Sequence, residues 1–481
     1  MDATVLILGS GFSGLAMAAR LQQDGVSFLV LERASTVGGT WRDNVYPGCA
    51  CDVASHLYSL SFALNPDWTS AYARQPEIRA YLEGLVDERA LRPHIVFGAE
   101  VRAAVFSEGW TLRCADGRVF RGRFVVNGVG ALRDPSIPSV PNAFQGPQMH
   151  SARWDASVSL EGKRVVVIGT GASAVQIVPA IQGQVGSMAV VQRTPPWIVP
   201  RRDTRYSDLT RWCFRHVPGL GRLWRWMMWL NHEVRYPLFF GGGALQGLAK
   251  RALRWHLRSA VADPALRVRV TPDYRIGCKR VLVAEGWYEA LQQPHVSLCS
   301  GSVASLEEDA VVLEDGTRLE ADVVIWCTGF RVDDPLGAMT VAGVDGVDLK
   351  GWWGSRPRAY LGIAVPHFPD AFILLGPNTA LGHSSVLLMI EAQVRWIRQA
   401  IAWSLETDRP VEVSEDRLVD FLGEMDGRHQ DQVWMSGCRS WYLNAEGENY
   451  TIWPGGTWDY TLRTWSFDPS VCVEEARDAP G

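Results

Sequence analysis

The segment Gly9-Ser10-Gly11-Phe12-Ser13-Gly14 constrains this chain more than any other. It follows a β-branched run, Val5 to Leu8, and opens a stretch with Leu15, Met17, Ala18 and Leu21 on one helical face, while Glu32 closes the next strand-like run. Strand, glycine turn, helix and a second strand ending in an acid make a βαβ unit that binds a dinucleotide. Gly9 permits the tight turn, Gly11 lets backbone approach a pyrophosphate, and Gly14 lets the helix pack on the strand. The helix N-terminus, with Phe12 and Ser13 in its first turn, offers unpaired N–H groups to phosphate. Glu32 is expected to accept hydrogen bonds from a ribose diol.

The pattern occurs twice. Arg164 to Ile168 leads into Gly169-Thr170-Gly171-Ala172-Ser173-Ala174, where alanine takes the third small position, and the next strand, Met188 to Gln192, ends in Arg193 instead of an acid. A carboxylate repels a 2'-phosphate and a guanidinium pairs with it, so this unit is expected to take NADPH in preference to NADH. Gly38-Gly39-Thr40-Trp41, just past the Glu32 strand, is a further backbone-exposing turn suited to a long flavin nucleotide. FAD is therefore expected in the first unit, and hydride is expected to pass from nicotinamide to flavin. No histidine or cysteine stands in either flavin-side turn, so the FAD should be non-covalent.

The predicted fold class is α/β with two dinucleotide-binding, Rossmann-like domains and the NADPH domain inserted in the FAD domain. Asp322 to Trp326 is a third run of the buried-strand type. Pro135, Pro138, Pro141 and Pro147 deny helix and central strand, which makes their segment a stiff connector, and a second crossing is expected near Gly329 to Pro335. The expected division is 1–150 for the first part of the FAD domain, 151–335 for the NADPH domain with a helical insertion at about 195–275, and 336–481 for the second part of the FAD domain.

Composition narrows the partners. With 47 basic and 52 acidic side chains the formal charge is -5, which leaves no whole-chain footprint for nucleic acid or anionic lipid. The richest apolar stretch, Leu220 to Leu248, holds Trp224, Trp226, Trp229, Phe239 and Phe240, but Arg222, Arg225, Glu233 and Arg235 interrupt it, so it cannot span a membrane. Two readings stay open for it: a helical subdomain burying its aromatics over a ligand cleft, or a surface helix dipping into lipid, with the first preferred and membrane contact not expected. The nine cysteines match no metal-site spacing, and with a strand pattern at the N-terminus they suggest a reducing cytosol, no metal and a cytoplasmic location.

Phe144-Gln145-Gly146-Pro147-Gln148-Met149-His150-Ser151-Ala152-Arg153-Trp154-Asp155 resembles the FxGxxxHxxxW(P/D) signature of the type I Baeyer-Villiger monooxygenases, within the class B flavoprotein monooxygenases. The residues that carry it are Phe144, Gly146, His150 and Trp154. Read without the family, His150 and Trp154 could equally pack and hydrogen-bond the crossover. Heteroatom-oxidising relatives usually have phenylalanine or tyrosine at Trp154, so tryptophan favours the ketone-oxidising branch. The resemblance continues through Tyr46-Pro47-Gly48 with Asp52, Arg193-Thr194, Cys278-Lys279-Arg280 and Asp322 to Gly329.

The resemblance implies that Arg280 stabilises a C4a-peroxyflavin, that Asp52 interacts with that arginine, and that Lys279 helps hold the NADPH phosphate. It also implies molecular oxygen and a small-molecule ketone as partners. Open alternatives are a nitrogen- or sulfur-oxygenating monooxygenase acting on a heteroatom substrate, or an NADPH-flavin reductase or oxidase. Two departures from the family pattern are Cys327-Thr328-Gly329, where Ala-Thr-Gly is usual, and Gly128-Val129-Gly130. Late in the chain, backbone at Gly376 or Asn378 is expected to border the flavin, Trp441 to wall the substrate pocket and His383 to be structural.

Overall fold

The β-branched runs ahead of the glycine turns become central strands of two parallel sheets. The computed structural model describes residues 1–473 apart from 240–242, 333 and 438–439, so Phe240 lies outside the described residues. In the first sheet β1 (Val5–Leu8) pairs with β2 (Phe28–Leu31) and β4 (Phe124–Asn127), and β3 (Ile95–Val96) extends it beyond β2. The second sheet contains β5 (Gln148–His150), β6 (Arg164–Ile168), β7 (Ser187–Gln192), β8 (Val296–Ser300) and β9 (Val323–Trp326), in the order β8-β7-β6-β9-β5. The chain then returns, and β10 (Ala371–Ile373) completes the first sheet beside β4. Every pairing in both sheets is parallel. The central strands are buried along their length, as a parallel sheet covered on both faces requires.

The glycine turns lead into helices α1 (Phe12–Asp24) and α2 (Ala174–Ile181). A Cβ on Gly14 would fall 1.9 Å from the Gly9 carbonyl oxygen, so only glycine lets α1 sit this close to its turn. The passage between sheets is double. Ser136 N–H donates to the Gly329 carbonyl at 2.9 Å, Arg331 N–H donates to Asp134 at 2.9 Å, and Pro135 bridges Phe330. The proline connector and the return crossing thus lie side by side as a two-stranded hinge. Gln148–His150 already belongs to the second sheet, so the outward crossing is complete before residue 148.

The longest helices of the insertion are α3 (Asp208–His216), α4 (Leu220–Glu233) and α5 (Ala244–Ala260). The expectation that the aromatics of this stretch are buried holds for Phe239 but fails for Trp226, which is 53% exposed. A charged residue takes an inward place instead. Arg225 donates to the carbonyls of His56, Leu57 and Ser59 and pairs with Glu391 at 2.9 Å, because that bend leaves acceptors no strand or helix satisfies. Glu391 lies on α6 (Val386–Thr407), which packs against α1. Among the described residues no helix is long and apolar enough to cross a membrane.

Candidate active site

The first turn is tied down by its acid. Glu32 is buried, and its carboxylate accepts from Ser10 N–H at 2.8 Å, Ser10 Oγ at 2.7 Å, Ala34 N–H at 2.9 Å and Arg42 Nη1 at 2.9 Å. Those four bonds use its lone-pair directions, so Glu32 shapes the turn and can meet a ribose only where Arg42 or the Ser10 hydroxyl gives way. Gly39 lies against Gly11, which brings the Gly38 to Trp41 turn onto the first turn. Phe12 and Ser13 are buried, and Trp41 donates its indole N–H to Tyr58 at 3.1 Å while Thr40 is exposed. A cleft of about 520 Å³ runs along the Glu32 end, lined by Arg33, Arg42, Arg153 and Trp154. Asp43 and Glu100 share that wall with the three arginines, so an anionic dinucleotide meets a mixed but net-cationic lining.

At the second turn Gly171 and Ala172 face outward, and nothing lies within 4 Å of where a Gly171 side chain would begin. Thr170 Oγ1 donates to the Thr194 carbonyl at 3.1 Å, holding the segment after Arg193 beside the turn. Lys279 lies over the Tyr274 ring at 5.1 Å, and its pKa is lowered by burial and by the nearby positive charge of Arg193. Two like charges brought together at the end of β7 fit an added phosphate between them.

Asp52 reaches the second domain because of the turn before it. Gly48, at φ +81°, would place a Cβ 2.7 Å from the Gln176 carbonyl oxygen, so the Tyr46-Pro47-Gly48 turn docks on α2 only through glycine. Gln176 clasps it: Oε1 accepts from Tyr46 Oη at 3.1 Å and Ala50 N–H at 3.2 Å, and Nε2 donates to the Ala50 carbonyl at 3.0 Å. From this dock Asp52 Oδ2 accepts from Arg280 Nη2 at 2.6 Å and Nε at 3.1 Å. Burial works to raise the Asp52 pKa, but Arg280 outweighs it and holds the carboxyl below its usual range; Asp52 in turn drives the guanidinium well above its own. The pair is charged at any working pH. Its one-edge geometry leaves Nη1 of Arg280 without a partner among the described residues.

The linker residues have separate local duties. Gly146 would set a Cβ 2.7 Å from the Phe144 ring and 2.6 Å from the Asp322 carbonyl oxygen, so Phe144 folds over a bare backbone at the foot of β9. His150 Nδ1 accepts from Ala152 N–H at 3.1 Å, and burial pushes its pKa down to about 4, leaving a neutral ring edge-on to Phe330 of the return crossing. Trp154 walls the Glu32 cleft. The departures from the family pattern occupy equivalent places. The Gly128 carbonyl, after β4, abuts Gly9, and the Cys327 carbonyl, after β9, abuts Gly169. The Cys327 thiol is buried and its pKa pushed up to about 12, so it acts as an apolar filler.

The late-chain residues occupy three different settings. Asn378, at φ +57°, gives its side-chain amide N–H groups to the Asn449 and Ile452 carbonyls, which ties two loops together. Trp441 is 44% exposed, and its neighbour Tyr442 is buried beside Arg280, with a hydroxyl that has no partner among the described residues and a pKa raised to about 12 by burial. His383 is buried 3.4 Å from Glu233, which also accepts from Thr457, in keeping with a structural role. Cys278 is disulfide-bonded, which a reducing cytosol does not lead one to expect. Gln176 and Tyr442 are not legible in the sequence because the groups they meet lie far away in the chain, and Arg42 is not because the local pattern does not show which carboxylates it joins. Only the spacing of Gln176, two residues past the second glycine turn, hinted at it.

Two glycine turns together with a half-buried arginine–aspartate pair define a two-dinucleotide oxidoreductase. A family model described as an NAD(P)-binding Rossmann-like domain matches residues 7–75. A Baeyer-Villiger monooxygenase of Pseudomonas aeruginosa is 42% identical over 97% of this chain and 90% of its own length, and one of Streptomyces coelicolor is 41% identical over 96% and 91%. Among solved structures, an oxidized steroid monooxygenase bound to NADP matches with a TM-score of 0.85 at 29% identity, over 97% of each chain. The chain belongs to the Baeyer-Villiger monooxygenase family.

Proposed function

We propose that this chain uses NADPH and molecular oxygen to insert one oxygen atom beside the carbonyl of a small-molecule ketone, giving an ester or lactone. FAD is assigned to the first turn, through Gly9, Gly11, Gly14 and the Gly39-Thr40-Trp41 segment, and NADPH to the second, through Gly169, Gly171, Ser173, Arg193, Thr194 and Lys279. We place the domain passage at the paired crossings, so that residues 148–335 carry the NADPH domain and the flanking segments the FAD domain. Bound FAD, reduced by NADPH, supplies the activated oxygen.

The observation that carries the reading is the Asp52–Arg280 pair, held between both turns by the Gln176 clasp. Asp52 occupies the Nε and Nη2 side of the guanidinium and fixes its plane; Nη1 is left to face negative charge developing on oxygen. A fixed cation favours an anionic oxygen nucleophile attacking a carbonyl carbon over a neutral electrophile that takes electrons from sulfur or nitrogen, which favours ketones over heteroatom substrates. Asp52 is a carboxylate below its usual pKa and cannot serve as a proton donor, whereas the buried Tyr442 hydroxyl keeps its proton and can donate a hydrogen bond. The test is a screen of cyclic, aromatic and long-chain ketones beside sulfides with the FAD-loaded enzyme, scored by mass for one added oxygen. Sulfoxides formed in place of esters would overturn the ketone assignment.

A further inference from the structure

Residues 208–260 hold nine arginines and lysines and two carboxylates in a chain whose formal charge is -5, so the whole-chain balance conceals a strongly basic segment. Its helices turn apolar side chains outward. On α4, Leu223, Trp226 and Leu230 recur at helical spacing and are 53%, 53% and 40% exposed, with Arg222 exposed beside them. On α5, Leu245, Leu248 and Trp255 form a second stripe, 53%, 59% and 72% exposed. Arg251, Arg254 and Arg258 lie along one flank of that stripe, all exposed, and none forms an ion pair among the described residues. Exposed tryptophan and leucine bordered by arginine on helices too short and too charged to span a bilayer is the arrangement of a helix lying in the lipid interface.

We propose that α4 and α5 form a docking surface for a membrane rich in anionic lipid. The charge decides the occupant. A second copy of this chain would set like charges against each other, and nucleic acid would leave the leucine and tryptophan stripes in water; an anionic bilayer takes both parts. The helical insertion reaches inward through Phe239, which stacks on Trp434 at 5.4 Å and lies against Gly277, three residues before Arg280. Docking therefore sets the insertion that packs beside the Arg280 segment against the phase in which apolar ketones dissolve.

The test is flotation of the FAD-loaded enzyme with vesicles of phosphatidylcholine alone and of phosphatidylcholine with a minority of phosphatidylglycerol, at low and high salt. Binding is expected only with the anionic vesicles and is expected to fall with salt. Each arginine near a charged bilayer contributes about fivefold, so Arg251→Ser/Arg254→Ser/Arg258→Ser should lower partitioning roughly 100-fold. Trp226→Ser/Trp255→Ser should lower it by about tenfold or more, with NADPH oxidation in solution unchanged for both variants. Equal flotation with neutral vesicles, no flotation, or retention by both variants would overturn the proposal. So would a dimer in sedimentation that the tryptophan variant dissociates, or duplex DNA binding as tight as vesicle binding.

Discussion

Replacing Arg280 by lysine keeps the charge and removes the geometry, which makes it the sharpest perturbation of the candidate site. Asp52 engages Nη2 at 2.6 Å and Nε at 3.1 Å, so the donor left for the reaction is the remaining arm of a rigid fork. A lysine ammonium would be drawn to the Asp52 carboxylate and leave no fixed donor behind. Loss of one preorganised donor at a developing oxyanion costs roughly 3 to 4 kcal/mol, a hundred- to thousand-fold in rate. Because the Arg280 side chain is 35% exposed, water can replace part of its effect, and the lower end, about a hundredfold, is expected. The assay has two halves. Flavin reduction by NADPH without oxygen should stay close to the parent rate, and in air the variant should release hydrogen peroxide in place of ester. An Arg280→Lys enzyme that converts its ketone at parental yield would refute the reasoning.

Arg193→Ala and Lys279→Ala should each raise the KM for NADPH by about 10- to 100-fold and leave NADH use unchanged, since charge-assisted hydrogen bonds to the phosphate contribute roughly 1.5 to 3 kcal/mol; steady-state kinetics with both coenzymes checks this, and equal losses would make the residues structural. Gln176→Ala should lower unfolding stability by about 1 to 3 kcal/mol in denaturant titrations, because it strands the Ala50 backbone and the Tyr46 hydroxyl at the domain dock. Acid should also destabilise the fold. Burial lowers the pKa of His56, His150 and His429 to about 4 from 6.5, so the unfolded chain takes up their protons first and stability is lost as pH falls from 6.5 toward 4. A denaturation midpoint flat across that window would contradict it.

Strands, glycine turns and topology were legible because each is written locally. Val5–Leu8 and Arg164–Ile168 were found with their observed bounds, and the third run and the Met188 strand each missed by one residue. The prolines marked the connector, although its partner strand at 329–331 could not be read from residues two hundred positions away. Glu32 is legible as the acid closing the second strand, but nothing in the local pattern shows that Ser10, Ala34 and Arg42 also bond its carboxylate. Arg280 and Asp52 came only from resemblance to a family. The reason they meet, a glycine at 48 and a glutamine at 176, is a contact between domains, and contacts of that kind leave no periodicity. Trp226 misleads in the same way, because an apolar residue facing solvent has the same one-letter code as one in the core.

The central claim is oxygenation of a ketone by this chain, and isotopically labelled dioxygen tests it most directly. The FAD-loaded enzyme, supplied with NADPH, labelled dioxygen and a ketone from the screen, should form an ester or lactone carrying one labelled oxygen, with one NADPH consumed for each product. NADPH consumption matched by labelled hydrogen peroxide, with no labelled ester from any ketone, would show an oxidase and contradict the account.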